Sequence, residues 1–354
     1  MRILTVTNMY PTSKAPHSGI FVEQQIAGLR KIGLDVDLMI VERVEKGMTS
    51  YIGLCRRIRS RIKALQHMLV HVMYGGVMAN IVTRAVTDRP TIVTFHGSDL
   101  LGEHLSGCLR RVIAGYGVSA SWRAARRASR IITVSTALRD ALPKDVDRRK
   151  VQVIPCGIDL ERFKPLDRRA CQQTLGWDSD KFHVLFPANG GDPVKRFHLA
   201  QAAVDVLNAA RIKTQIHQLR GIENRDVPVW LNASDVLLLT SLHEGSPTVV
   251  KEALACDLPV VSVDVGDVSE RLSRIAGCHL SSSSPEDLAA GLFTVYSGNR
   301  RVDGRVKMQA LSLESIAVQL KNVYEDLVLC SENTQRGNSP AIVSDPPNEF
   351  LSRR

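Results

Sequence analysis

Short, uninterrupted apolar runs alternate with helix-length amphipathic segments along nearly the whole chain. In the first half the runs fall at 3–7, 36–41, 68–72, 91–95, 131–134 and 151–154; in the second they fall at 183–187, 214–218, 236–240 and 259–263. Most lack the apolar–polar alternation of a strand buried on one face only. Such runs predict parallel strands covered by helices on both sides. No period recurs that would build a solenoid. The expected fold is therefore α/β, with two doubly wound, Rossmann-like domains facing each other across a central cleft. The boundary is expected near Arg162-Phe163-Lys164-Pro165, giving domains at 1–164 and 165–330. A final helix is expected from Ser312 through Ile316, Leu320, Val323, Tyr324 and Leu327, free to pack back on the first domain. Residues 331–354, rich in Ser, Asn and Pro, are expected to be a disordered tail.

Residues 64–83 contain no Asp, Glu, Lys or Arg, and 20 such residues are long enough for a membrane span. Gln66, His67, His71, Asn80 and the Gly75-Gly76 pair interrupt the run, so strand, turn and helix are expected instead. The chain starts directly with a strand-like segment, without the pattern of a signal peptide. Its seven cysteines form no C-x-x-C pair, which fits reduced thiols in a cytoplasmic setting.

Charge divides the chain. Residues 1–165 hold 26 Lys and Arg against 13 Asp and Glu, whereas the remainder holds 20 against 23. The first half is thus expected to meet an anionic partner. Arg56, Arg57, Arg59, Arg61 and Lys63, interleaved with Ile58, Ile62 and Leu65, make an amphipathic stretch that is either a solvated face or a contact with an anionic leaflet. No nucleic acid is expected as partner, because aromatic residues are only 5% and no recognition motif is present.

Candidate chemistry gathers at the ends of the apolar runs. In His243-Glu244-Gly245-Ser246-Pro247-Thr248, Gly245 permits a tight turn, Ser246 is the expected N-cap and Pro247 the expected first helical residue. A helix starting there offers free N–H groups and partial positive charge to a phosphate. Glu244 ahead of it and Glu252 within it suit the hydroxyls of a sugar or ribose, which donate to carboxylates. The turn Asn189-Gly190-Gly191-Asp192-Pro193-Val194-Lys195-Arg196 ends in a cationic pair able to neutralise a leaving phosphate. His96, in Phe95-His96-Gly97-Ser98-Asp99, sits at a strand's carboxyl end, where Asp99 either orients it or touches substrate. Gly19 lies in the loop after the first strand.

The spacing of Glu244 and Glu252, with the small-residue helix and the Pro259-Val260-Val261 strand that follow, resembles the E-x7-E signature of glycosyltransferase family 4. These are retaining, nucleotide-sugar-dependent enzymes of the GT-B fold, and the resemblance extends over residues 1–330. It implies that Glu252 holds the donor ribose, that Glu244 lies by the donor sugar, and that the loop Gly245, Ser246, Pro247, Thr248 meets sugar and diphosphate. Lys195 matches the lysine that holds the diphosphate. Asn189 stands where the family has an arginine, a departure that weakens the site unless Arg196 or another nearby cation takes the role. His96 is implied to face the donor sugar from the opposite wall, and Gly19 to approach the donor phosphate and acceptor. Cys156, in Pro155-Cys156-Gly157, replaces a usual asparagine.

The implied activity is transfer of a hexosyl group, with retention, from a UDP- or GDP-sugar to an acceptor hydroxyl. The usual front-face route lets the leaving phosphate help take the proton, and no metal or other cofactor is implied. The second half would hold the donor and the first half the acceptor. That acceptor is expected to be a saccharide or lipid-linked saccharide of surface polysaccharide synthesis, handled at the inner face of the membrane. The alternatives are a nucleotide-sugar epimerase or hydrolase on the same architecture, or a non-catalytic binding protein, to which Asn189 and Cys156 would point.

Overall fold

The computed structural model describes residues 1–15, 18–102, 108–188, 191–298 and 301–337. The first half builds a six-stranded sheet from β1 (Arg2–Thr7), β2 (Asp35–Ile40), β3 (Leu69–Met73), β4 (Thr91–Phe95), β5 (Arg130–Thr133) and β6 (Val151–Val153). Its order is β2-β1-β3-β4-β5-β6. The second half builds a five-stranded sheet from β7 (Phe182–Phe186), β8 (Thr214–Gln218), β9 (Val236–Leu239), β10 (Val260–Val263) and β11 (His279–Ser281), in the order β11-β10-β9-β7-β8. Every pairing is parallel. Ten strands lie within one residue of the expected runs. The eleventh, β11, is only three residues long, half-polar and at the sheet edge, so it leaves no apolar run to read.

In both sheets the strand order reverses beside the first strand, between β1 and β3 and between β7 and β9. Neighbouring loops diverge at such a point and leave a crevice at the carboxyl ends of the strands. The chain thus forms two such crevices, and their loops meet in one cleft.

Residues 64–83 resolve into the end of a helix, β3 and a further helix, as expected, and among the described residues no helix is long and apolar enough to cross a membrane. The amphipathic basic stretch forms a helix with its apolar stripe buried and its basic face outside. Helix α1 (Ile20–Lys31) is followed by α2 (Leu54–Leu65), whose Leu54, Ile58 and Ile62 are buried in the core of the first half. Its apolar stripe is consumed by its own sheet, so α2 has none to lay into a leaflet. Only the basic face is outside, with Arg61 bound bidentately to Asp37, and Arg57 and Arg59 donating to the carbonyls of Ser50 and Ala85.

Further along, α3 (Gly76–Ala85) packs against α4 (Cys108–Arg127), and α5 (Thr248–Ala255) follows β9 in the second half. The last helix, α6 (Leu313–Gly337), begins after Ser312, whose hydroxyl accepts from the Ser315 N–H at 3.1 Å. It runs through residues 331–337, which were expected to lack structure; residues 338–354 lie outside the described residues. Its apolar face, Ile316, Ala317, Leu320 and Tyr324, packs against α1, and one core cluster holds these residues together with Ile3, Val22 and Ile26 of the first half.

The chain crosses between the halves twice, and the crossings are tied together. Ile158 N–H donates to the Leu311 carbonyl at 2.9 Å, and Leu313 N–H to the Ile158 carbonyl at 3.0 Å. Arg305 reaches the carbonyls of Leu160 (2.8 Å) and Phe163 (2.6 Å). Deep under α6, His71 on β3 binds Tyr324 Oη through Nδ1 and Thr94 Oγ1 through Nε2, both at 2.7 Å. Burial holds this imidazole down to about 3, so it is neutral and fully hydrogen-bonded. Tyr324→Phe leaves Nδ1 without a partner. The expected cost is about 1–3 kcal/mol in urea unfolding monitored by circular dichroism, with the spectrum of the folded protein unchanged.

Candidate active site

The cleft between the halves holds two adjoining cavities, of about 280 and 410 Å³. Both are lined by His96, Lys195, Glu244 and Gly245. The smaller is closed by Phe21, Cys156 and residues 246–249, and the larger opens past Ser98, Gly102 and Asp192. His96, Cys156, Lys195 and Glu244 follow β4, β6, β7 and β9, and Phe21 follows β1.

From the second half, Lys195 Nζ meets Glu244 Oε1 at 2.5 Å, and the same oxygen accepts from Ser241 Oγ at 2.7 Å. A cation and a carboxylate therefore stand side by side at the cavity wall, both partly exposed. Arg196 is placed differently. Its backbone is left-handed (φ 52), its Nε donates to the Thr240 carbonyl at 2.5 Å, and its Nη2 donates to the Ser241 carbonyl and Ser283 Oγ. Its fork braces the end of β9 and lines neither cavity. Asn189 lies outside the described residues.

Helix α5 begins at Thr248, one residue later than expected, with Pro247 in the N-cap position and no side-chain cap. Ser246 is not the cap. Its hydroxyl donates to Asp267 Oδ2 at 2.8 Å and accepts from Lys251 Nζ at 3.1 Å. The amides of the first turn thus face the smaller cavity without a side-chain cap. Glu252, one turn in, is half-buried beside the Arg162 side and lines neither cavity. Burial pushes its carboxyl up to about 7, against the pull of Arg162 and Lys251.

From the first half, the His96 ring lies between Phe21 (4.5 Å) and Tyr74 (6.3 Å), with Nδ1 3.7 Å from Cys156 Sγ. Burial, reinforced by His71 and Lys251, holds the imidazole down to about 3. Its Nε2 is buried without a hydrogen-bond partner among the described residues. Asp99 does not reach the cleft cavities. Its carboxylate accepts from the amides of Gly75 (2.8 Å), His96 (3.0 Å) and Gly97 (2.8 Å), which fixes the loop that carries the histidine. Burial still raises this carboxyl to about 6. Gly19 also lies apart from the cavities. At φ 69, a Cβ there would come within 2.3 Å of the Met9 backbone, so the residue serves the loop's own fold.

Cys156 shows in the sequence only as a replaced asparagine, and three contributors escape the reading: Phe21, Lys251 and one backbone contact. Cys156 and Phe21 form the wall beside His96. Lys251 is wholly buried in α5, with Nζ donating to the Cys156 carbonyl at 3.0 Å across the cleft. The only sequence sign of Lys251 was a charge on the apolar side of a Val-, Ala- and Leu-rich helix. The third is backbone contact between the walls: a Cβ on Gly245 would lie 1.8 Å from the His96 carbonyl oxygen. Among the described residues no three His, Cys, Asp or Glu side chains gather as a metal cage.

The profile of Glycosyltransferase Family 4 matches residues 33–162, and that of Glycosyl transferases group 1 matches residues 190–297, together about two thirds of the chain. The chain belongs to glycosyltransferase family 4. Among relatives of this glycosyltransferase is TuaC of Bacillus subtilis (strain 168), assigned as a glycosyltransferase of teichuronic acid biosynthesis. It is 26% identical, with 82% of this chain and 88% of TuaC covered. An Escherichia coli UDP-Gal:α-D-GlcNAc-diphosphoundecaprenol α-1,3-galactosyltransferase is 23% identical over 61% of this chain and 62% of its own. The glycosyltransferase has the GT-B fold. Sucrose-phosphate synthase of Thermosynechococcus elongatus superposes with a TM-score of 0.76 at 16% identity, over 93% of this chain and 100% of the other. Anabaena HepE in complex with UDP-glucose does so with 0.60 at 18%, over 95% and 100%.

Gly245→Ala forces the walls apart by roughly 1 Å, the distance a Cβ at 1.8 Å from the His96 carbonyl oxygen must retreat to reach contact. For this glycosyltransferase kcat/KM is expected to fall about 100-fold in steady-state assays, with the folded circular dichroism spectrum retained. An unaffected rate would mean that the contact is incidental to the reaction.

Proposed function

We propose that this glycosyltransferase moves a hexosyl group, with retention, from a nucleotide diphosphate sugar to a hydroxyl of a lipid-linked saccharide in surface polysaccharide synthesis. The observation that carries this reading is the meeting of the Lys195–Glu244 pair, the uncapped start of α5 and His96 around one pair of cavities. A diphosphate leaving group gains negative charge as its glycosidic bond breaks. Lys195 and the N–H groups at the start of α5 stand ready to stabilise that charge without reorganising. Glu244 accepts from sugar hydroxyls, Glu252 from the ribose diol, and neutral His96 offers a hydrogen bond from the facing wall. The oxygen of the leaving phosphate accepts the acceptor's proton on the same face of the sugar, so the bond to the acceptor forms where the old bond broke. The roles of Glu252 and His96 follow the family resemblance; His96 lines both cavities, whereas Glu252 lines neither. The name of TuaC favours a role in teichuronic-acid-type polysaccharide synthesis, that of the diphosphoundecaprenol galactosyltransferase favours an acceptor held on a lipid, and the UDP-glucose bound by HepE favours a UDP-sugar donor.

Thermal unfolding with UDP, GDP and their sugars tests the donor site. A ligand at 100 times its dissociation constant stabilises by about 2.7 kcal/mol, which raises the midpoint by a few degrees. One nucleotide series is expected to do so, and Glu252→Ala to abolish the shift. Absence of a shift with every nucleotide sugar would overturn the reading. Acceptor-dependent release of nucleotide then separates a transferase from a hydrolase.

The elevated carboxyl of Glu252 adds a pH dependence. The free protein holds this group half-protonated near pH 7, whereas ribose hydroxyls donate to it and favour the carboxylate. Donor binding therefore releases a proton, and affinity weakens as pH falls from 8 to 6. Titration calorimetry in buffers of different ionisation enthalpy is expected to detect that proton, and Glu252→Gln to remove both it and the pH dependence.

A further inference from the structure

The imidazole of His96 meets a single polar atom among the described residues. Its Nδ1 lies 3.7 Å from Cys156 Sγ, and its Nε2 is buried without a partner. Phe21 and Tyr74 flank the ring, with centroids 4.5 and 6.3 Å away. Burial keeps the ring neutral, so it carries one N–H and one lone pair. Which nitrogen holds the proton decides whether His96 offers its surroundings a donor or an acceptor at Nε2. The question bears on the reaction because this residue lines both cleft cavities.

Two arrangements satisfy the contact with Cys156. In one, the thiol donates to Nδ1 and the ring proton is on Nε2. In the other, Nδ1–H donates to the sulfur and Nε2 is bare. The surroundings of Cys156 choose between them. Burial raises the thiol's pKa, so the sulfur keeps its hydrogen. Lys251 Nζ donates to the carbonyl of the same residue at 3.0 Å, and its positive charge acts on the thiol against the effect of burial. A cation beside an S–H group polarises the bond, which makes the hydrogen a better donor and the sulfur a poorer acceptor. A bare imidazole nitrogen is also a stronger acceptor than a thiol sulfur. Both effects favour S–H donation to Nδ1. The Lys251 charge reaches the imidazole as well and disfavours a second ring proton.

We infer that Cys156 is a positioning residue for the transfer reaction: its thiol holds the proton of His96 on Nε2, so that the ring presents an N–H to an oxygen of the donor sugar. The inference rests on the proposed donor site and adds which hydrogen the facing wall supplies. It also gives a role to the cysteine that stands in place of asparagine. An amide carries both a donor and an acceptor and can turn to suit either tautomer, whereas a thiol beside a fixed ammonium suits one. Lys251 belongs to α5, so the half that carries Lys195 and Glu244 also governs the histidine proton on the other half.

Nitrogen-15 NMR of histidine-labelled protein without ligand reads the tautomer directly, and His96→Gln identifies the signal. The wild-type protein is expected to show a protonated Nε2 and a bare Nδ1. Cys156→Ala is expected to move the proton to Nδ1 in part of the population, and Cys156→Ser, which keeps a donor in place, to retain the wild-type pattern. In thermal unfolding, Cys156→Ala is expected to weaken binding of the nucleotide sugar about tenfold while free UDP or GDP binds as before, since the ring is assigned to the sugar. A general loss of packing would weaken both ligands equally, and that result would overturn the proposal. So would a proton on Nδ1 in the wild-type protein, or an unchanged tautomer in Cys156→Ala. The NMR measurement needs no substrate, so its failure is distinct from a failure of every nucleotide sugar to bind, which bears on the transfer reaction itself.

Discussion

The amino group of Lys251 has no route to water, and much of the site depends on how its hydrogen bonds are met. A buried lysine without partners would be strongly destabilising. Here one acceptor is the Cys156 carbonyl on the first half and another is Ser246 Oγ in the loop before α5. Asp267, also buried, accepts from Ser246 and pairs with Arg271 at 3.0 Å. Burial drives Lys251 and Asp267 each toward the neutral form, and each holds the other toward the charged one. The network can be satisfied only with α5 at one distance from the turn at Cys156. That turn carries the sulfur beside His96, so the helix start, the carboxylates and the histidine are positioned together.

The glycines at the cleft follow from the same demand. With α5 drawn toward the first half, the loop at Gly245 meets the loop at His96 and Gly97 with no room for a side chain. Asp99 then acts from behind. By taking three amides of the histidine loop it holds rigid the wall that Gly245 presses against. One side of the cleft is thus braced by a buried carboxylate and the other by a buried amine. The partly exposed pair, Lys195 and Glu244, is left between them to meet a ligand.

What the sequence disclosed, and what it hid, has a physical pattern. Strands of a doubly covered sheet are long apolar runs, so ten were legible within a residue, while β11 at an edge was not. That Glu244, Lys195 and His96 line the cleft was legible because they lie in the loops after strands, whereas Glu252, inside α5, stood out only by its spacing from Glu244. Ser246 read as a cap because serine before a helix usually is one; a buried lysine and aspartate claimed its hydroxyl instead. The stripe Leu54, Ile58, Ile62 has the same spacing whether it faces a bilayer or a sheet, and only tertiary packing decides between them. Lys251 and the contact at Gly245 were hidden because both depend on residues about 95 and 149 positions away.

The return of α6 to the first sheet bears on how the protein is made. Residues 313–328 supply one face of the core that begins with Ile3, Val22 and Ile26, and Tyr324 completes the bonding of His71. During synthesis the first sheet therefore emerges from the ribosome with that face bare, and it stays bare until nearly the entire chain has been translated. Domains commonly fold in the order in which they appear. Here the half made first is finished last. An interrupted message or a nick ahead of residue 313 would yield a fragment with a sticky sheet and no means of covering it, a natural client for chaperones and proteases.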